Sequence, residues 1–166
     1  MLDKKFSGRH VLITGAARGI GFEIARQFAR EGAVLSIFDF NREMLAKATG
    51  ELQALGSAVY PYFTDVSDFG MVTDSVSAAE EIQPVDILIN NAGIAFETPF
   101  LNISEKEWKQ ILDINLTGMF CVAQAVCRNM SKRKKGVVVN MASKNGVTAE
   151  FGYAHYNASK AGVILL

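Results

Sequence analysis

Thr14-Gly15-Ala16-Ala17-Arg18-Gly19-Ile20-Gly21 decides how this chain folds. It follows the apolar run His10–Thr14 and opens an amphipathic stretch, Gly19–Glu31, so it reads as the turn between a strand and a helix. Glycines let a backbone turn tightly and approach a pyrophosphate, and the first N–H groups of a helix lack internal partners and carry partial positive charge. The spacing is Gly-x-x-x-Gly-x-Gly, one residue different from the Gly-x-Gly-x-x-Gly dinucleotide fingerprint. Because glycines also serve ordinary turns, the strand–turn–helix context carries the dinucleotide reading.

Outward from that turn, short apolar runs alternate with longer amphipathic ones. His10–Thr14, Ala33–Phe38, Ala58–Phe63, Val85–Asn90 and Val137–Met141 read as strands, rich in Val and Ile and bounded by Gly, Asp or Asn. Helical patterns lie near Gly19–Glu31, Arg42–Leu55, Asp68–Ile82 and Glu105–Ser131. Ser67 is placed to cap the third helix, and Ser104 with Glu107 forms a capping box before the fourth, which Gly118 is placed to bend or interrupt. A last helix starts near Tyr153 and is still apolar and uncapped at Leu166. Repeated strand–helix units imply parallel strands joined by right-handed crossovers. The expectation is one doubly wound α/β domain over 1–166, with five strands ordered 3-2-1-4-5.

The 166 residues suffice for one domain with a core, and 17 basic against 17 acidic residues give no reason to expect nucleic acid or an anionic membrane as partner. Lys132–Lys135 is a local basic cluster, read as favourable charge at a helix C-terminus. Cys121 and Cys127 fall on different faces of one helix and read as buried free thiols. Met1–Gly8 has no apolar signal core, and no run approaches the ~18 apolar residues of a membrane span, so the cytoplasm is the expected compartment.

Asp39 ends the second strand, eighteen residues after Gly21. A carboxylate there can accept hydrogen bonds from ribose hydroxyls and repel a 2′-phosphate, which favours NAD over NADP. Arg18 pulls the other way, but it can swing aside. Farther along, Tyr156 and Lys160 are four apart and share one helix face, with Ser143 thirteen residues before Tyr156. An ammonium beside a phenol favours the phenolate, which suits proton transfer. His10 and His155 belong to no nucleophile motif, and His155 reads as a helix-surface or pocket-rim residue. No residues have metal-ligand spacing.

Together these features resemble the short-chain dehydrogenase/reductase family, in its standard, non-extended branch. Thr14–Gly21 is similar to the family's Thr-Gly-x-x-x-Gly-x-Gly motif, and Asn90-Asn91-Ala92-Gly93 to its Asn-Asn-Ala-Gly motif. Asn115 is similar to its helix asparagine, Ser143 stands in an Asn-x-x-Ser pattern, and Tyr156–Lys160 is Tyr-x-x-x-Lys. The motifs run through the chain in the family's order.

The resemblance implies a Rossmann-type fold and an oxidoreductase moving a hydride between NAD(H) and a secondary alcohol or ketone. Tyr156 would be the general acid or base, and Lys160 would assist it and hold the nicotinamide ribose. Ser143 would donate to the substrate oxygen, and Asn115 would hold a water that links Lys160 to solvent. Gly15, Arg18, Gly19, Ile20 and Gly21 would cradle the cofactor, Asp39 its adenosine ribose, Asp65 and Val66 its adenine, and Asn91 to Gly93 the adenosine-ribose side. Lys144, where the family often has a small residue, is either a solvated loop residue or a contact for an acidic substrate. Family members are about half as long again, so the C-terminal strands and substrate lid would be missing. On that reading the 166-residue chain is truncated, nearly inactive and prone to associate, and the full-length enzyme a homodimer or homotetramer. A non-catalytic dinucleotide-binding fragment is the alternative; an extended-branch epimerase is disfavoured by the glycine spacing.

Overall fold

The computed structural model describes residues 4–166, so the reading of Met1–Gly8 lies partly outside the described residues. Strands β1 (His10–Thr14), β2 (Val34–Asp39), β3 (Val59–Phe63), β4 (Ile87–Asn90) and β5 (Val137–Asn140) form one parallel sheet, ordered β3-β2-β1-β4-β5. This is the expected doubly wound α/β architecture. All five residues of β1 are buried, which is why it reads as a continuous run without polar alternation. Val11 and Ile13 face one layer, built from α1 (Gly19–Arg30) and α2 (Arg42–Gln53). Leu12 faces the other, built from α3 (Phe69–Ile82) and α5 (Met119–Arg133).

Helix α4 (Glu105–Leu112) continues into α5 through a π-helical stretch, Asp113–Gly118, and α6 (Ala154–Leu165) packs on both α4 and that stretch. Gly118 therefore widens the helix rather than ending it. A Cβ at Gly118 would lie 2.8 Å from the Val66 carbonyl oxygen, so the residue permits a close approach to the segment after β3. Joined end to end, Glu105–Arg133 has 29 helical residues and is long and apolar enough by composition to cross a membrane, contrary to expectation. In this fold Cys121, Val122, Val126 and Met130 of α5 bury against the sheet.

Several local expectations change. Asp68, not Ser67, caps α3: its carboxylate accepts Met71 N–H at 3.0 Å, while Ser67 donates to Asp65. The capping box is half formed. Ser104 accepts Glu107 N–H at 3.1 Å, but the Glu107 carboxylate is drawn to other partners. Cys127 is exposed, while Cys121 is buried and its thiol is pushed up by that burial. In the basic cluster, Arg133 pairs with Glu80 at 2.8 Å and Lys135 with Asp86 at 3.7 Å, a structural use of the charge. Strand β5 is not covered on both faces: Val138 packs in the second layer, but Val137 and Val139 are 55% and 41% exposed. They share the face of α1 and α2, whose main strand contacts are with β1, β2 and β3.

Candidate active site

Strand order reverses between β1 and β4, and a cleft of about 690 Å³ opens at the carboxyl ends of the strands there. The Thr14–Gly21 turn forms one wall. Gly15 and Gly19 have φ of 63° and 57°, a conformation that costs glycine little. A Cβ on Gly21 would sit 2.1 Å from the Gly15 carbonyl oxygen, so that glycine is required by the turn's own packing. A Cβ on Gly19 would meet nothing within 4 Å, which leaves its backbone open to a ligand. Arg18, the residue before α1, makes no side-chain cap, so the helix's first N–H groups have no side-chain partner.

Thr14 fastens this turn to the next strand. Its hydroxyl accepts Asn91 N–H and Ala92 N–H, each at 2.9 Å, and donates to Asn90 Oδ1 at 3.4 Å, which uses its full hydrogen-bonding capacity. Asn91 returns the tie by donating its amide to the Thr14 and Gly15 carbonyls at 3.0 and 3.2 Å. Buried Asn90 donates to Met119 O at 2.7 Å, joining β4 to α5. Asp39 is buried at the end of β2, where one carboxylate oxygen accepts Ala17 N–H and the other Asn41 N–H, both at 3.0 Å. It thus both begins a turn and lines the cleft.

The opposite wall comes from α6. Tyr156 is half-buried and Lys160 is buried, and both line the cleft. The Lys160 ammonium donates to the Met141 carbonyl at 2.5 Å and lies 5.8 Å from the Tyr156 ring centre. Burial pulls Lys160 below the ordinary lysine value. One of its three donors is used by Met141, leaving two for a bound group.

The structure brings Gly15, Arg18, Gly19, Ile20, Asp39, Asp65, Val66, Asn91, Gly93, Tyr156 and Lys160 around this single cleft. Gly21 lies behind the turn. Ser143 and Asn115 are not among the lining residues. Ser143 starts a short 3-10 turn, Lys144–Gly146, with its hydroxyl accepting Asn145 N–H at 3.2 Å. The Asn115 side chain is fully buried in the π-helical stretch. It accepts Ile94 N–H at 2.8 Å and donates to Ile94 O at 2.8 Å and Ser159 Oγ at 3.2 Å. It therefore braces the loop after β4 against α6. Lys144 pairs with Glu150 at 3.3 Å on the surface.

His155 departs from its expected place. It is fully buried, not on a rim, and its Nε2 lies 2.8 Å from Glu107 Oε1. Thr14, Ser159, Glu107 and His155 carry much of the geometry around the cleft. Thr14 is legible in the sequence only as the first residue of the glycine motif, Glu107 only as a helix cap and His155 only as a rim residue; the ties they make, like those of Ser159, depend on contacts between distant segments.

The sequence profile of the short chain dehydrogenase family matches residues 9–166. The chain belongs to the short-chain dehydrogenase/reductase family. It is 40% identical over 158 residues to gluconate 5-dehydrogenase of Gluconobacter oxydans, covering 95% of this chain and 62% of that protein. It is 36% identical over 161 residues to a 3-oxoacyl-[acyl-carrier-protein] reductase of Thermotoga maritima, covering 96% and 65%. Among solved structures, NAD+-bound xylitol dehydrogenase superposes with a TM-score of 0.94 at 35% identity, covering 98% of this chain and 63% of that one. The chain thus spans less than two thirds of the length of these relatives. The family uses NAD(P) cofactors. The residues here fit one: an open glycine backbone at a helix N-terminus, a carboxylate at the end of β2, and a buried ammonium across the cleft.

Proposed function

We propose that this chain supplies the cofactor-binding and catalytic part of an NAD-dependent oxidoreductase acting on a secondary alcohol or its ketone. The observation that carries the reading is the convergence of Asp39, the glycine turn, Tyr156 and Lys160 on one cleft. Bound NAD(H) would accept or supply the hydride. The α1 N-terminus and the Gly19 backbone hold the pyrophosphate. Asp39, already fixed by Ala17 and Asn41 N–H, accepts from the adenosine ribose hydroxyls and disfavours a 2′-phosphate. Ile20, Asp65 and Val66 line the cleft and would hold the adenine.

At the other end, Lys160 uses its remaining donors on the nicotinamide ribose and stabilises negative charge on Tyr156. Tyr156 gives its phenolic proton to the carbonyl oxygen in reduction and takes it back from the alcohol in oxidation. Ser143 turns its hydroxyl from the Asn145 N–H toward the substrate oxygen. Asn115 acts by holding Ile94 and Ser159, and it would also hold a water linked to Lys160. The named relatives are a gluconate 5-dehydrogenase, a xylitol dehydrogenase and a 3-oxoacyl-[acyl-carrier-protein] reductase, which makes polyols, sugar acids and 3-oxoacyl ketones the first substrates to try. A soluble cytoplasmic homodimer or homotetramer completes the proposal.

The test, in a protein extended to the relatives' full length, is a pair of fluorescence titrations, with NADH and with NADPH, followed by assays of NAD+ reduction with gluconate and xylitol. NADH should bind the more tightly, and Asp39→Ala should narrow the gap. Equal dissociation constants in the unmodified protein would remove the NAD assignment. Tight NADH binding without turnover of any alcohol or ketone would favour the non-catalytic reading.

A further inference from the structure

Beside Tyr156, in the turn that begins α6, lies a polar cluster that none of these roles uses, with His155 buried and Glu107 and Thr98 partly exposed. Glu107 of α4 receives two hydrogen bonds on the same oxygen: Thr98 Oγ1 at 2.5 Å and His155 Nε2 at 2.8 Å. Those two bonds, Thr98 first, hold its carboxyl below the ordinary glutamate value. Thr98 belongs to the loop after β4, and its backbone N–H donates to Gly152 O at 2.8 Å, in the segment leading into α6. His155 is fully buried, and its other ring nitrogen, Nδ1, has no partner. An unfilled lone pair costs less than a buried N–H without an acceptor, so the ring proton belongs on Nε2, aimed at Glu107. Such a ring is held at one end only, by Glu107, and removing that acceptor leaves both nitrogens unpartnered.

The location gives the cluster its consequence. His155 immediately precedes Tyr156 on α6, Gln110 and Ile114 on the helical run after Glu107 line the cleft, and so do Ala95 and Phe96, just before Thr98. One carboxylate thus ties together three segments that contribute to the Tyr156 side of the cleft. It touches none of the residues around Asp39 and the glycine turn. We propose that Glu107, with His155 and Thr98 as its two donors, is a positioning hub that sets where Tyr156 stands relative to the substrate, without taking part in cofactor binding. The proposal rests on the oxidoreductase reading for its effect on turnover, but its structural half stands apart from it.

The experiment compares Glu107→Leu, Glu107→Gln and Thr98→Val with the parent, all in a protein extended to the relatives' full length, by hydrogen exchange without ligand, NADH titration, and oxidation of xylitol and gluconate by NAD+. Glu107→Leu should speed exchange locally in 94–98 and 154–160. It should lower kcat by roughly tenfold or more, since small misplacements of a reacting group are costly, while NADH affinity stays within about twofold. Glu107→Gln keeps an acceptor oxygen for both donors and should restore exchange and kcat together. Thr98→Val removes one bond of the two and should show the same pattern more weakly; it also serves if Glu107→Leu fails to fold. The proposal is overturned if exchange in those two segments is unchanged in both apolar variants. It is equally overturned if Glu107→Gln is as damaged as Glu107→Leu, which would make the charge the operative feature. Faster exchange across the whole sheet with NADH affinity lost in step would reduce the cluster to general stability. If the parent oxidises neither alcohol, the oxidoreductase reading is at fault, and the exchange data still decide the hub.

Discussion

The two walls of the cleft are built in different ways. The β1–α1–β2 wall is made by backbone: positive-φ glycines, N–H groups held by Asp39 and Thr14, and a central strand buried on both faces. The α6 wall is made by side chains reaching across long separations, as in Asn115 to Ser159, His155 to Glu107 and Lys160 to the Met141 carbonyl. It also stands beside β5, an edge strand with Val137 and Val139 half-exposed. Backbone geometry tolerates little change, which suits the half proposed to bind a cofactor shared by many enzymes. A wall of side-chain ties can be adjusted piecemeal, which suits the half proposed to meet the substrate.

The sharpest way to separate the walls is Tyr156→Phe, made in a protein extended to the relatives' full length. The ring still packs, but no proton can be transferred, so turnover should fall by about 10²–10⁴-fold while NADH affinity is kept. Near-normal steady-state rates would remove Tyr156 from the chemistry. Next in size is Gly21→Ala, whose methyl would overlap the Gly15 carbonyl oxygen at 2.1 Å. Overpacking of this kind costs about 1–3 kcal/mol or more, read as a lower melting temperature together with weaker NADH binding. An unchanged melting curve would show that the glycine turn is softer than its packing implies. Gly118→Ala, with a 2.8 Å approach to the Val66 carbonyl, should destabilise less than Gly21→Ala in the same assay, and the reverse order would contradict the contrast.

The smallest effect concerns His10, on the backbone-built side. Its Nδ1 donates to Gln83 O at 2.7 Å and its Nε2 accepts from Ser36 Oγ at 2.8 Å. Burial, the largest influence, lowers it below the ordinary 6.5. The unfolded chain therefore takes up a proton first as pH falls. Stability present above pH 6.5 is lost as pH drops through the lower folded-state value. Melting temperatures should decline over that window in the parent and decline less in His10→Gln; equal slopes would exclude His10 as the cause.

The same contrast explains what could be read from sequence. Strand order, the glycine turn and Asp39 were legible, because each is a local pattern with one physical solution. Tyr156 and Lys160 were legible as a pair, because four residues bring them to one helix face. His155 was misplaced for the same reason that Glu107 was overlooked. Its burial depends on α4 lying against α6, which nothing in the local pattern around either residue specifies. The capping-box reading of Ser104 and Glu107 failed on the glutamate alone, which is held by tertiary partners. Asn115 was singled out in the sequence, but its side chain is committed to Ile94 and Ser159, a use that only the folded loop reveals.

The central claim is that one NAD(H) molecule joins the two walls. Calorimetric titration of NADH into the parent protein, Asp39→Ala and Lys160→Met tests it most directly. Lys160→Met replaces a buried ammonium with an apolar chain of similar length, so its melting temperature should hold or rise. The account predicts that both variants bind NADH more weakly than the parent, Asp39→Ala from the adenosine end and Lys160→Met from the nicotinamide end. A folded Lys160→Met protein that binds NADH with the parent's affinity would contradict it.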